Sequence, residues 1–86
     1  MIVESHPRIT TVEVLEAYRL RLGFKDGTSG TVDLGHLIRP GRGVFIPLKD
    51  PEFFARVTVD HEAGTVVWPN GVDLDPDVLY EAAHAR

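Results

Sequence analysis

The most constraining feature of the sequence is the stretch YRLRLGF at 18–24, in which apolar residues alternate with polar or small ones. A period of two predicts a strand with one buried face. If KDG at 25–27 is a three-residue loop with a left-handed glycine, Leu20 lies opposite Val32 and the apolar residues of both strands share that face. A two-residue loop would instead place Leu20 opposite Asp33. The pattern therefore predicts an antiparallel hairpin with the longer loop.

Further strands are predicted on both sides of this hairpin. The segment ITTVEVL at 9–15 is rich in β-branched residues and is expected to pair with the strand at 18–24 across a short turn near Glu16 and Ala17. Residues 56–60 and 65–68 flank the loop HEAG, which sets Val59 opposite Val66 and brings Trp68 into the core. The proline in VFIPL at 44–48 confines that segment to a sheet edge or to irregular structure.

Two helices share a start motif. DPEFF at 50–54 and DPDVL at 75–79 each contain an aspartate suited to the N-cap, a proline at the first helical position and an acid in the first turn. The second helix is predicted from Pro76 to about His84. Its buried residues are expected to be Val78, Leu79, Ala82 and Ala83, with Asp77 and Glu81 facing outward.

The only tryptophan begins the turn WPNG at 68–71, which suits a type I turn with proline at i+1 and glycine at i+3. The acids at 73, 75 and 77 imitate the first ligands of a calcium loop, but Val78 stands where that loop needs glycine and His84 where it needs glutamate. We therefore expect no metal site there. Structural roles are predicted for Trp68, Pro69, Gly71, Asp75 and Pro76.

Together these elements predict an α+β fold, a small antiparallel, meander-like sheet of about five strands with two short helices, the last at the C-terminus. A chain of 86 residues is expected to form a single domain, residues 1–86. It has no cysteine and no apolar run of the ~18 residues that a membrane helix needs. The stretch MIVESHPR lacks a basic and an apolar region, so we expect no secretory signal. These features predict a cytoplasmic protein that does not bind membranes.

Charge is unevenly distributed along the chain. Residues 1–48 hold six bases and five acids, a net charge of +1, whereas residues 49–86 hold three bases and eight acids, a net charge of −5. An acidic surface favours basic partners and repels phosphate backbones. Asp73, Asp77 and Glu81 are predicted to contact the partner, which we expect to be another small protein with a basic surface.

The alternative is a regulatory or ligand-sensing domain that contacts nucleic acid through a basic face. RPGRG at 39–43, after a predicted helical turn at 35–38, could offer guanidinium and backbone N–H groups to a phosphate. It lacks the lysine and serine of a phosphate-binding loop, and Pro40 and Gly41 suit a type II turn. The residues that would carry this alternative are Arg19, Arg21, Arg39 and Arg42.

The sequence offers little for catalysis. The four histidines stand 23 or more residues apart, and neither Ser5 nor Ser29 lies in a nucleophile motif. We predict a protein that is not an enzyme and has no catalytic residues and no cofactor.

The segment GTVVWPNGVDLDPDVLYE, together with DG at 26–27, VDL at 32–34 and LKDPEFF at 48–54, resembles the small bacterial family called domain of unknown function 2442, over about residues 7–81. The resemblance implies an α+β fold. It also implies contexts, because members occur as free-standing proteins, in pairs with another small protein that resemble a toxin and its antitoxin, or fused to a helix-turn-helix domain. No such domain is expected in these 86 residues.

The leading hypothesis is therefore a non-catalytic protein–protein interaction module, an antitoxin-like partner of a neighbouring small protein. A homodimer through an unpaired sheet edge near Val44 to Leu48 is a further expectation.

Overall fold

The computed structural model describes residues 7–85. Its strands are β1 (Ile9–Val14), β2 (Arg19–Phe24), β3 (Ser29–Asp33), β4 (Thr58–Asp60) and β5 (Thr65–Val67). Its helices are α1 (Gly35–Ile38), α2 (Pro51–Phe54) and α3 (Pro76–His84), with 3-10 turns at Gly43–Phe45 and Pro47–Lys49. The predicted α+β class, the five antiparallel strands and the C-terminal helix are confirmed.

The five strands form two sheets rather than one meander. β1, β2 and β3 make an antiparallel sheet in that order, and β4 and β5 pair as a separate hairpin. The chain between β3 and β4 is taken up by α1, two 3-10 turns and α2, so it does not continue the sheet. The two sheets meet where the Ile9 N–H donates to the Gly64 carbonyl at 2.9 Å.

Both hairpins have the predicted registers. Leu20 pairs with Val32 around the three-residue loop, in which Gly27 has a φ of +90°. Val59 pairs with Val66 around the loop at 61–64. In each case the register places apolar residues of both strands on the buried face, as the hydrophobic pattern requires.

The turn between β1 and β2 is strained. Ala17 and Tyr18 both have positive φ, +59° and +61°, as a type I′ turn demands, although such turns favour glycine and asparagine. Tyr18 is held by an edge-on contact with Phe54 at 5.4 Å and by a hydrogen bond from its hydroxyl to the Lys49 carbonyl. Tertiary contacts of Tyr18 therefore fix a turn that the local sequence disfavours.

Replacing Ala17 with glycine is expected to raise the free energy of unfolding by about 0.5–1 kcal/mol, because glycine adopts a positive φ without the clash of a Cβ atom. Ala82→Gly on the exposed side of α3 is the control and should lower it by about 1 kcal/mol. Urea denaturation measures both. A destabilised Ala17→Gly variant would contradict the conformation of this turn.

Trp68 lies in the core, with 2% of its surface exposed. Its indole N–H donates to the Phe54 carbonyl at 2.9 Å, and its ring lies 5.7 Å from the Phe54 ring. The WPNG turn is closed by the Gly71 N–H and the Trp68 carbonyl, with Gly71 at a φ of +88°. The predicted roles of Trp68, Pro69 and Gly71 in core and turn are confirmed.

Both helix caps are confirmed. The Asp50 side chain accepts from the Glu52 N–H at 3.0 Å, and Asp75 accepts from the Asp77 N–H at 2.8 Å, with Pro76 at the first position of α3. The two capped helices contact different parts of the core. The Trp68 indole N–H donates to a carbonyl of α2, whereas α3 packs against β3.

The segment Val44 to Leu48 is not a sheet edge. It lies in the two 3-10 turns, so the premise of the expected dimer contact, an unpaired strand edge at this segment, is wrong. Pro47 begins the second 3-10 turn, where its missing N–H costs nothing. The turn at RPGRG was predicted to start at Arg39. It starts at Ile38 instead, whose carbonyl accepts from the Gly41 N–H.

Across residues 7–85, no helix has the length and apolar character needed to cross a membrane.

Candidate functional site

An apolar groove of about 280 Å³ lies between α1 and α3. α1 begins two residues after the end of β3. The Asp33 carboxylate accepts from the Gly35 N–H at 2.8 Å and so fixes the start of this helical turn. α3 starts at its Asp75 cap and packs against β3. The apolar side chains that line the space between them include Leu37, Leu74, Val78, Leu79 and Ala82.

The groove is open because α3 buries a narrower stripe than predicted. Leu79 is 2% exposed and Tyr80 and Ala83 are half-buried, whereas Val78 is 61% exposed and Ala82 is also exposed. The prediction that Val78 and Ala82 are buried is therefore wrong. Positions 76, 79, 80 and 83 follow the helical spacing of a single face.

Acidic residues border this apolar surface. Asp33 and Asp75 line the groove, and Asp77 and Glu81 are exposed one turn apart on α3, each next to a groove residue. Residues 57–85 contain six acids and no lysine or arginine. The structure thus places Asp77 and Glu81 together beside a groove that is lined by two further acids.

Asp73 lies apart from the groove. It forms an isolated bridge with Val67 and lines a shallow recess with Val44, Asn70 and neighbouring residues. Of the three predicted partner contacts, the structure therefore groups only two. Within residues 7–85, no three histidine or carboxylate side chains are placed to hold a metal ion.

The four arginines named for the nucleic-acid alternative do not form one surface. Arg19 and Arg21 lie on the outer face of β2, opposite Asp33 on β3 and Glu13 on β1, respectively. The Arg39 guanidinium lies 5.5 Å from the centre of the Tyr18 ring, on the core side of the sheet. Arg42 is exposed before the first 3-10 turn. Acidic neighbours partly neutralise the outer face of β2, and the remaining arginines lie elsewhere.

A polar network that sequence reasoning missed joins the β2–β3 loop to the end of α3. Asp26 accepts from the hydroxyls of Tyr80 and Thr28, both at 2.6 Å. His84 stacks on Tyr80 with ring centres 4.1 Å apart, and its Nε2 lies 2.9 Å from the Thr28 hydroxyl. The DGT sequence of the loop indicates a local turn, but only the docking of α3 brings Tyr80 and His84 to it.

This network resembles a nucleophile and its base, since a hydroxyl lies within hydrogen-bond distance of an imidazole nitrogen. The Thr28 hydroxyl, however, donates to Asp26, and the other His84 nitrogen lies 2.8 Å from the Tyr80 carbonyl. All four side chains are thus occupied in joining the helix to the hairpin. We interpret the network as a structural tie that holds α3, and with it one wall of the groove.

The hydrogen bonds from Thr28 and Tyr80, with a smaller contribution from the charge of His84, lower the pKa of Asp26 from 3.8 to about 2. The hydrogen bond to Asp26 raises the pKa of Tyr80. Because the folded-state pKa of Asp26 is depressed, its stabilising contribution is present above pH 3.8 and is lost as the pH falls through about 2.

We expect Asp26→Asn to be less stable than the wild type at neutral pH, with the difference narrowing between pH 3.8 and about 2. Urea midpoints at a series of pH values measure this. As a control, Tyr80→Phe removes one donor, so it should raise the pKa of Asp26 in an NMR titration. A stability difference that stays constant down to pH 2 would contradict the network.

A family model described as Protein of unknown function (DUF2442) matches residues 9–85. The crystal structure of a "putative DNA binding protein" from Nitrosomonas europaea is similar to this chain, with a TM-score of 0.78 and 35% sequence identity. The similarity covers 96% of this chain and 52% of that one, so this chain spans about half the length of that protein. No curated protein matches this sequence.

Proposed function

The chain belongs to the family of proteins of unknown function DUF2442, and from the groove between α1 and α3 we propose that this member is a non-catalytic module that binds a basic protein partner. The observation that carries the proposal is Val78, an aliphatic side chain 61% exposed beside Leu37 in a groove bordered by acids. Exposed apolar surface with a polar border is characteristic of interaction sites.

The two parts of the site have different roles. The apolar floor supplies binding energy when a partner side chain fills it, since burying one aliphatic side chain contributes about 1.5–3 kcal/mol. Asp77 and Glu81 select basic partners and speed their association, because complementary charge accelerates encounter and disfavours partners of like charge. A partner segment that fits both is amphipathic, with aliphatic anchors one helical turn apart and lysine or arginine beside them.

The family resemblance implies a class of partner. Pairs that resemble a toxin and its antitoxin would place a second small protein beside this one, and a basic member of such a pair suits the acidic groove. In this proposal the chain neutralises its partner by covering a basic surface, which requires no catalytic residue of its own.

A synthetic peptide tests the proposal without knowledge of the natural partner. The probe is a labelled amphipathic helix with leucine anchors at i and i+4 and flanking lysines, and its comparison peptide carries glutamates in place of the lysines. Fluorescence anisotropy should show binding of the basic peptide, weakened by a few-fold rise in ionic strength. Preferential binding of the acidic peptide would overturn the proposal.

Two exposed valines supply a pair of variants. Val78→Lys places a positive charge in the groove, whereas Val14→Lys makes the same change on β1, outside the groove, where the valine is 37% exposed. We expect Val78→Lys to weaken binding of the basic peptide by at least about tenfold and Val14→Lys to leave it nearly unchanged. Equal effects of the two substitutions would show that binding does not use the groove.

A second candidate function, contact with nucleic acid, is favoured by one observation, the description of the Nitrosomonas europaea protein as a "putative DNA binding protein". About half of that protein lies outside the similarity, so its binding surface need not have a counterpart here. The acidic-groove proposal predicts no mobility shift with DNA or RNA. A shift that is lost in an Arg19→Ala, Arg21→Ala double variant would favour the alternative.

A further inference from the structure

A second exposed apolar surface lies on residues 39–49, which we call the strap. The strap carries Arg39, Arg42 and Lys49 and contains no acidic residue. Val44 and Ile46 are its most exposed aliphatic side chains, at 61% and 57%. The strap is therefore apolar and basic, the opposite in charge of the groove and its border.

The strap has a defined backbone. Gly41 and Gly43 have φ of +62° and +55°, which allows the chain to bend at each end of Arg42. Leu48 anchors the strap in the core with 1% exposure, and the Asn70 side chain donates to the Val44 carbonyl at 3.2 Å. A pre-formed surface loses little conformational entropy on binding, so it is well suited to recognition.

From this complementarity we propose that the strap of a second copy of this chain occupies the groove, with Val44 and Ile46 on the apolar floor and Arg42 facing Asp77 and Glu81. The inference rests on the proposed function of the groove and names an occupant for it. Because each copy has one strap and one groove, reciprocal docking forms a closed two-fold dimer, the commonest symmetry of homo-oligomers.

The observations favour a protein over a nucleic acid as the strap's partner. Two aliphatic side chains more than half exposed gain nothing against a phosphate backbone, whereas an apolar groove buries them. Asp73 shares a recess with Val44, but the three bases of the strap outnumber this single acid. The dimer and a basic partner would then compete for one groove.

Charge reversal tests the dimer. The strap variant is Arg42→Glu with Lys49→Glu, and the groove variant is Asp77→Lys with Glu81→Lys. Sedimentation equilibrium should show a dimer for the wild type and at least about tenfold weaker association for each variant alone. An equimolar mixture of the two variants should recover a heterodimer, because both strap–groove contacts then pair opposite charges again.

The control is Glu13→Lys with Glu62→Lys, which changes net charge equally at exposed positions outside both surfaces and should leave dimerisation unchanged. A wild type that stays monomeric, or variants that associate normally, would overturn the inference, as would failure of the mixture to associate when both variants remain folded by circular dichroism. If the basic peptide binds the groove of a monomeric wild type, the proposed function stands and only the dimer fails. If a charge-dependent dimer forms but the peptide does not bind, the proposed function of the groove fails instead.

Discussion

Replacing Trp68 with alanine is expected to lower the free energy of unfolding by about 3–5 kcal/mol, the usual cost of deleting a core aromatic side chain. The indole is 2% exposed, its N–H donates to the Phe54 carbonyl, and its ring packs against the Phe54 ring. The variant loses all of these contacts and leaves a cavity between α2 and the β4–β5 hairpin. A domain of this size has a total stability of about 4–13 kcal/mol, so the substitution removes much of it.

Thermal unfolding followed by circular dichroism measures the loss, which should lower the melting temperature by at least about 12 °C. Trp68→Phe is the matched control, because it keeps an aromatic ring and removes the indole N–H. We expect an intermediate melting temperature for it, and it remains measurable if the alanine variant does not fold. A melting temperature of Trp68→Ala within a degree or two of the wild type would contradict the packing of the indole.

Features that depend on neighbouring residues could be predicted from the sequence. The pairing of Leu20 with Val32 follows from a period-two pattern and one glycine, because a shift by one residue would expose every apolar side chain. The capping roles of Asp50 and Asp75 are predicted by an aspartate that precedes a proline, because its carboxylate can accept a hydrogen bond from the N–H two residues later. In each case the determining residues lie in one continuous stretch of the sequence.

Features that depend on how elements meet could not be predicted in this way. The pairing Val12–Leu22 of β1 and β2 requires a turn with positive φ at Ala17, which local propensity disfavours and Tyr18 enforces through contacts with α2 and the strap. The exposure of Val78 depends on which side of α3 faces β3. The spacing of apolar residues predicts that α3 is amphipathic, but the rotation of the helix is set by its contact with the sheet.

The candidate site also combines features that the sequence predicts with features that depend on tertiary contacts. The acidic character of Asp77 and Glu81 is evident in the charge distribution, whereas the groove beside them exists because α1 is one turn long and does not cover Val78. The network of Asp26, Tyr80 and His84 depends on contacts across more than fifty residues of sequence. The groove and the network therefore share one structural requirement, the close approach of α3 to the β2–β3 hairpin.

That approach depends on Gly30, and replacing it with alanine is expected to lower the free energy of unfolding by about 1–3 kcal/mol. A Cβ atom at this position would lie 2.3 Å from the Ala83 carbonyl oxygen and 3.0 Å from its carbon. Both are backbone atoms, so relieving the clash requires α3 and β3 to move apart. Alanine in a strand otherwise stabilises by about 0.4–1 kcal/mol through the unfolded chain, which is too little to offset the overlap.

Because Gly30→Ala should displace α3, we expect it to change two properties besides stability. Displacing the helix separates Tyr80 from Asp26, so the pKa of Asp26 should rise toward its ordinary value, and the basic peptide should bind less tightly because one wall of the groove has moved. Ser29→Ala, on the opposite and exposed face of β3, is the control and should change stability by less than about 0.5 kcal/mol. If Gly30→Ala were destabilised while the pKa of Asp26 and peptide binding stayed at wild-type values, the strand would have moved rather than the helix. The groove would then not depend on this contact.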